Sequence, residues 1–148
     1  MRLQMISNLI SVQEVKTQGE LQQLLYVHGL EVTQATISRD IRTLQLIKVP
    51  SKDGTLKYSS KINHDHEYTE KLRHKLRDAL IRIDAVNHFT ILKTLPGHAH
   101  SFGVLLDSLD LEGKVGTVCG NDVCLIICKT PEDSIQIKER MDTLQSNQ

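Results

Sequence analysis

The side chains best suited to chemistry in the first half of the chain cluster within one short stretch. If that stretch is helical, Ala35, Arg39 and Arg42 share one face, with Thr36 and Ser38 beside it. Arginine can bind guanine edges or phosphates, and hydroxyl side chains can bind bases or backbone. Such a face is typical of a helix that contacts DNA, but any solvated helix surface can show the same residues.

Three helices are predicted around this stretch. The first runs from Arg2 to about Gln13. The second begins at a capping box formed by Thr17 and Glu20 and ends at Gly29. The third runs from a Thr33 cap to about Leu44. Two helices joined by a short glycine-containing turn indicate a helix-turn-helix.

A β-hairpin is predicted directly after the third helix, which favours a DNA-binding winged helix over a solvated surface. Its strands are 46–50 and 55–59, joined by a turn at 51–54. Lys48, Lys52 and Lys57 lie on this hairpin, where they are expected to bind phosphates.

Composition narrows the class of protein. The 148 residues contain 18 Lys and Arg and 18 Asp and Glu, with 39% hydrophobic residues. These values argue against wholesale disorder and against binding nucleic acid through bulk charge alone. The balance is uneven, because residues 1–82 hold 13 basic and 9 acidic residues, and residues 83–148 hold 5 and 9. A basic half joined to an acidic half is consistent with DNA contact by the first half.

Targeting and cysteine patterns predict a cytoplasmic protein with no membrane association. No apolar window reaches membrane-spanning length, and no secretory signal is recognised. Cys119, Cys124 and Cys128 match no zinc spacing, so reduced and mostly buried thiols are expected. We predict no cofactor and no metal site.

A linker is predicted over 63–78, between a DNA-binding domain at 1–62 and a second domain at 79–148. Residues 61–70 are polar without a clear period, which indicates an exposed irregular connection. A short basic helix is expected from Lys71 to Arg77. The sequence His64-Asp65-His66 is interpreted as solvated rather than metal-binding.

The second domain is predicted to combine four strands with two helices, which makes the whole chain α+β. This domain would be a small α/β sandwich-like layer for oligomerisation and effector binding. The expected strands are 80–85, 89–94, 114–119 and 123–128, and the expected helices are 98–109 and one capped by Thr130.

The first of these helices carries an unusual outer face formed by His100, Gly103, Val104 and Asp107. A small and an apolar residue between polar ones suit close packing against another subunit, so a symmetric oligomer is expected. An enzyme or metabolite-binding module is the other class considered. It is disfavoured because no nucleophile or metal motif accompanies Asp107, Asp122 and His100.

Several motifs taken together resemble the bacterial arginine repressors. They are Thr33-Gln34-Ala35-Thr36-Ile37-Ser38-Arg39-Asp40-Ile41, Leu46-Ile47-Lys48-Val49-Pro50, Leu95-Pro96-Gly97-His98-Ala99, Leu105-Leu106-Asp107-Ser108-Leu109 and Gly116-Thr117-Val118-Cys119-Gly120-Asn121-Asp122. The resemblance implies a non-enzymatic transcriptional regulator of arginine biosynthesis and catabolism genes. It also implies an N-terminal winged helix and a C-terminal domain that forms trimers and dimers of trimers (a homohexamer). L-arginine would be the corepressor between trimers, promoting hexamer assembly and operator binding.

The resemblance also implies roles for individual residues. Ser38 and Arg39 would be the main DNA-reading residues, with Gln34 and Thr36 nearby. The arginine-binding residues implied by the resemblance, or placed at its motif positions, are His100, Asp107, Thr117, Asn121 and Asp122.

Two residues depart from the family pattern. The family usually has a second Asp where this chain has Asn121, and commonly Gln where it has His100. Loss of a carboxylate weakens charge-assisted hydrogen bonds to a guanidinium or ammonium group. An alternative is therefore an arginine-insensitive member that acts constitutively or together with a paralogous partner subunit.

Overall fold

Residues 1–147 are described by the structure, a computed structural model, and the chain divides into two units, Met1–His64 and Asp65–Gln148. The first contains three helices and a two-stranded antiparallel sheet. Their bounds are α1 Arg2–Val12, α2 Gln18–Val27, α3 Gln34–Thr43, β1 Leu46–Pro50 and β2 Leu56–Ser60. Helix-turn-helix and hairpin follow one another as predicted, and together they form a winged helix.

The helix starts of this unit follow from its threonines. The Thr17 hydroxyl accepts a hydrogen bond from the Glu20 amide, and the Thr33 hydroxyl accepts one from the Thr36 amide. The Glu20 carboxylate departs slightly from a standard capping box, because it accepts from the Lys16 amide instead of that of the cap residue. Both predicted caps are confirmed, and they fix where α2 and α3 begin.

The expectation of an irregular connection over 61–70 is wrong, because the chain forms one helix there, α4 Lys61–Ala79. The second half of α4 has an apolar stripe, and Leu72, Leu76 and Ala79 are buried in the second unit's core. The polar first half of α4 has no helical repeat of apolar residues, because none of its side chains is buried in the core. Helix formation there follows from continuity with the packed half, which nucleates it.

The second unit is a four-stranded antiparallel sheet with helices packed on one face. After α4 its elements are β3 Leu80–Val86, β4 Phe89–Thr94, α5 Ala99–Ser108, β5 Lys114–Cys119, β6 Val123–Cys128 and α6 Pro131–Ser146. The strand order is β3-β4-β6-β5. The predicted α+β class is confirmed, and the four strands lie within a residue of their expected bounds.

The two faces of this sheet differ. Side chains alternate along a strand, so Leu92, Cys124 and Ile126 face the helices and are fully buried. Residues between them in sequence share the other face, where Phe89 pairs with Ile127. That face, which we call the open sheet face, is lined mainly by Val86, Phe89, Ile91, Val118, Leu125 and Ile127, with the charged Asp84 and Lys93 on the same side. The unit therefore leaves one apolar sheet surface without cover from its own helices.

The cysteines depart from the expectation of three reduced thiols. Cys119 and Cys124 lie opposite each other on β5 and β6, and their sulfurs are joined in a disulfide. Cys128 is free and buried, as expected. Sequence spacing alone does not reveal the pair, because it depends on the register of the two strands.

Candidate functional site

The orientation of α3 is fixed by an ion pair between the buried Asp40 on its inner side and the partly exposed Arg2. The Arg2 guanidinium donates from Nε to Asp40 Oδ2 at 2.6 Å and from a terminal nitrogen to Asp40 Oδ1 at 3.0 Å. Asp40 is 5% exposed, and its hydrogen bonds raise the pKa of Arg2 above the ordinary value. Two parallel bonds of this kind restrict orientation as well as position. The helix is therefore held with Arg39 and Arg42 exposed on its outer side.

Of the other predicted DNA-reading residues of α3, Thr36 and Ser38 are less exposed than the arginines. Gln34 is exposed, whereas Thr36 is half-buried and its hydroxyl lies 3.0 Å from that of Thr33. The half-buried Ser38 hydroxyl donates to Gln18 Oε1 at 3.3 Å. Gln18 is the first residue of α2, so this bond links the two helices of the motif.

The three predicted phosphate-binding lysines differ in their surroundings. Lys48 Nζ donates to the Lys16 carbonyl at 2.8 Å and lies 5.0 Å from the centre of the Tyr58 ring. Lys57 Nζ lies 3.7 Å from a Glu14 carboxylate oxygen. Lys52 is exposed at the hairpin turn. Two of the three must therefore exchange or share a partner in their own chain to bind phosphate.

Further polar contacts join the hairpin turn to the segment between α1 and α2. Lys16 Nζ lies 2.7 Å from Asp53 Oδ2, and the Ser51 hydroxyl donates to Glu14 at 2.7 Å. Hydrogen bonds from Lys16 and Thr55 lower the pKa of Asp53 well below its usual range. These contacts position the wing, and sequence reasoning missed them because the partners lie more than 30 residues apart, at separations such as 37.

In the second unit, Asp107 and Thr117 are in contact, and their membership of one ligand site stays a prediction. The Thr117 hydroxyl on β5 donates to the exposed Asp107 carboxylate near the end of α5. Lys114 Nζ donates to the Leu106 and Leu109 carbonyls at 2.5 and 2.6 Å, which closes the end of the helix. Burial lowers the pKa of Lys114, and the charge of Asp107 opposes that shift.

Asn121 and Asp122 form the turn between β5 and β6. The Asn121 carbonyl accepts hydrogen bonds from the amides of Gly97 and Ala99, so the turn lies against the start of α5. The Asp122 carboxylate is 2.5 Å from Lys93 Nζ. Sequence reasoning missed Lys93 because its partner is 29 residues away. A cationic ligand at Asp122 would compete with this lysine.

His100 lies on α5, seven residues before Asp107. It is exposed and lines a groove of about 620 Å³ between α4 and α5, together with Lys71, His74, Lys75 and His98. The expected packing role of its neighbour Gly103 is wrong as stated. Gly103 is buried against Cys119 of its own chain, where a Cβ would lie 2.5 Å from the sulfur. Only His100, Val104 and Asp107 of the predicted outer face are exposed.

Residues 1–147 contain neither a membrane-spanning helix nor a metal-binding cluster. No described helix is both long and apolar enough to cross a membrane. No group of three or more described His, Cys, Asp or Glu side chains is arranged to hold a metal ion.

Comparison with known proteins decides the family. Residues 1–65 match the family model described as the arginine repressor DNA binding domain, and residues 76–143 match the arginine repressor C-terminal domain. The chain belongs to the arginine repressor family. Proteins named "Arginine repressor" from Bacillus cereus (strain AH187), Bacillus anthracis (strain A0248) and Bacillus thuringiensis subsp. konkukian (strain 97-27) are each 46% identical to it over 135 residues, covering 91% of both chains.

Membership confirms the resemblance, and each of the two units matches one domain of the family. As an arginine repressor family member, the chain carries a DNA-binding unit followed by the family's C-terminal unit, and the family is one of repressors rather than of enzymes. The roles of individual residues stay predictions.

Proposed function

We propose that this protein is a sequence-specific transcriptional regulator of arginine biosynthesis and catabolism genes, with L-arginine as corepressor. The observation that carries the proposal is the geometry of α3, whose Asp40 is anchored to Arg2 while Arg39 and Arg42 face outward. Such an anchor would hold the exposed face of the helix at a fixed angle as it enters the major groove.

DNA reading is assigned to the exposed side of α3. Arg39 has the reach to bind guanine O6 and N7 with two donors, with Gln34 and Ser38 beside it. Arg42 and Lys52 are exposed and would bind phosphates, and Lys48 and Lys57 would add phosphate contacts once released from their own-chain partners.

Arginine binding is assigned to the exposed carboxylate near the end of α5 and to the β5–β6 turn. Asp107 is oriented by the Thr117 hydroxyl, which leaves acceptor capacity for a guanidinium or an ammonium group. Asp122 supplies a second carboxylate and Asn121 a neutral acceptor. The family pattern extends the proposed site to His100.

Self-association is assigned to the second unit. The open sheet face includes Val118, 58% exposed, and Phe89, 39% exposed. An apolar surface of this kind on a DNA-binding protein is consistent with a subunit interface, and a trimer that pairs into a hexamer would bring several α3 helices to one operator. Arginine between trimers would then couple ligand binding to hexamer assembly. The protein would act in the cytoplasm.

Operator gel shifts with and without L-arginine, combined with solution mass measurement, test this proposal. Arginine is expected to increase both operator affinity and the hexamer fraction. Replacement of Arg39 by Ala is expected to abolish specific binding while arginine still promotes assembly. Arginine that changes neither quantity would contradict the corepressor role.

A second candidate is favoured by the Lys93–Asp122 ion pair together with the neutral Asn121. Because Asn121 lacks a carboxylate and the Asp122 carboxylate is paired with Lys93, the protein would bind operator constitutively or need a paralogous subunit. The substitution Asn121→Asp separates the two candidates. A gain of arginine response in the variant, absent from the wild type, would favour the second.

A further inference from the structure

Two cysteines bracket the turn of the proposed arginine site. Cys119 and Cys124 are register partners on β5 and β6, with Cα atoms 4.2 Å apart. The Gly120 amide donates to the Val123 carbonyl at 2.8 Å, so Asn121 and Asp122 are the two residues at the tip. A bond between the sulfurs closes the base of this hairpin directly beneath those residues.

The same pair contacts the helix that carries the rest of the proposed site. Gly103 of α5 lies against Cys119, and any added Cβ would be 2.5 Å from the sulfur. The tip is also held to the start of α5 through the Asn121 carbonyl. The sulfur of Cys119 is therefore packed against the helix that carries Asp107, in an interior with little spare space.

We propose that Cys119 and Cys124 are a reversible redox site whose disulfide form has lower affinity for arginine. The inference rests on the proposed function. A disulfide in an intracellular DNA-binding regulator faces thiol reductants, under which such bonds are usually transient and often redox-sensing.

The oxidant is a hydroperoxide such as hydrogen peroxide. The half-buried Cys119, as its thiolate, attacks one peroxide oxygen, forms a sulfenic acid and releases the other oxygen as water once protonated. The buried Cys124 thiol then attacks the sulfenic sulfur, which forms the disulfide and releases a second water. Two thiols are oxidised and one peroxide is reduced. A dithiol reverses the reaction by exchange.

The lower affinity of the disulfide form follows from the contacts present in that form. Asp122 is paired with Lys93, and Asp107 accepts from Thr117. The Asp122 carbonyl accepts from the Thr94 amide of β4 at 2.8 Å, and a cross-link between β5 and β6 stiffens the hairpin held by that bond, so arginine must break the Lys93 ion pair with little help from the backbone. Reduction removes the restriction.

Cys128 provides a matched control on the same strand. It faces the core at 3% exposure, and burial raises the pKa of its thiol, which keeps it protonated and unreactive. The variant Cys128→Ala therefore removes one of the three cysteines without touching the pair.

Thiol labelling of the full-length protein tests the redox site itself. The reduced protein is treated with hydrogen peroxide, denatured, alkylated and weighed by mass spectrometry. Three labels are expected before oxidation and one after it, on Cys128, and the C128A variant should give two and none. Retention of all labels, or a cross-link that includes Cys128, would overturn the assignment.

Calorimetric titration of both forms with L-arginine tests the coupling. Oxidation is expected to weaken arginine binding roughly tenfold, a typical size for coupling between two sites. The variants Cys119→Ser and Cys124→Val should lose this redox dependence, and either one suffices if the other misfolds. Equal binding by both forms overturns redox control and leaves the arginine function standing. Absence of binding in both forms overturns the arginine function and the redox coupling together.

Discussion

Asp40 on α3 and Asp107 on α5 are both carboxylates on short helices, but their surroundings are opposite. Asp40 is 5% exposed and receives two donors from one guanidinium of its own chain. Asp107 is exposed and receives a single described hydroxyl donor. A buried carboxylate that is already saturated with a cation maintains the fold, whereas an exposed one beside a neutral donor can still accept a cation from elsewhere.

The same contrast separates the two units electrostatically. In the first unit the acids Asp40, Asp53 and Glu14 each neutralise a nearby basic residue, which leaves Arg39 and Arg42 exposed. Cations left without acidic partners are available to DNA. In the second unit the exposed Asp107, which accepts from the neutral Thr117 hydroxyl, remains for a cationic ligand, so the two units are prepared for partners of opposite charge.

The largest effect on arginine binding is expected from Asp107→Asn. The change keeps the size and the Thr117 contact but removes the charge that a guanidinium or ammonium requires. We expect a loss of about 30-fold or more in arginine affinity, equivalent to about 2 kcal/mol or more. Calorimetry measures it, and the melting temperature should stay close to that of the wild type. A variant that still binds arginine normally would break the comparison, because Asp107 would then be as structural as Asp40.

The converse variant is Asp40→Ala, for which a fall in stability is expected. It leaves the Arg2 guanidinium without its partner and removes the anchor of α3, so the melting temperature should fall by roughly 5–10 °C. Operator affinity should fall with it, while arginine binding measured below the transition stays unchanged. Thermal unfolding followed by circular dichroism, beside titration of the same sample, checks both expectations. Unchanged stability would mean that the pair contributes no more than a surface ion pair does.

Lys93→Gln sharpens the comparison by releasing Asp122. The glutamine retains a hydrogen-bond donor but removes the competing cation, so arginine affinity is expected to rise by roughly three- to tenfold. Lys129→Gln is a matched control, because Lys129 is exposed and its replacement removes the same charge from the same unit. An equal rise in both variants would point to net charge instead of the ion pair.

The helix-turn-helix, the hairpin and the four later strands were predictable because their signals are local. Thr17, Thr33 and Thr130 mark helix starts, and the alternation around Ile91 and Leu125 marks strands. The first half of α4 was not, since its polar residues carry no period and its helicity depends on the packed half. This is why the sequence suggested an irregular linker there.

The candidate sites were predictable in residue type but not in pairing. The motif around Arg39 and the acid at Asp107 stand out in the sequence, whereas nothing near Lys93 points to Asp122, and nothing near Arg2 points to Asp40. Each of these pairs is created by chain segments that meet only in the folded unit, as with Arg2 and Asp40, whose sequence separation is 38. Tertiary structure decides which charged side chains are paired within the chain, and therefore which ones remain available to bind DNA or a ligand.

The smallest effect is expected at Asp53, whose ion pair with Lys16 is exposed to solvent. Because its folded pKa is lowered, Asp53 stabilises the fold above its ordinary pKa of 3.8, and this contribution is lost as the pH falls below that value. At neutral pH, Asp53→Asn should lower the melting temperature by less than about 3 °C, and added salt should reduce the difference further. The variant also frees Lys16, so non-specific DNA binding should tighten and depend more steeply on salt. Stability that drops as far as in the Asp40 variant would show that the wing contacts, too, belong with the structural ion pairs.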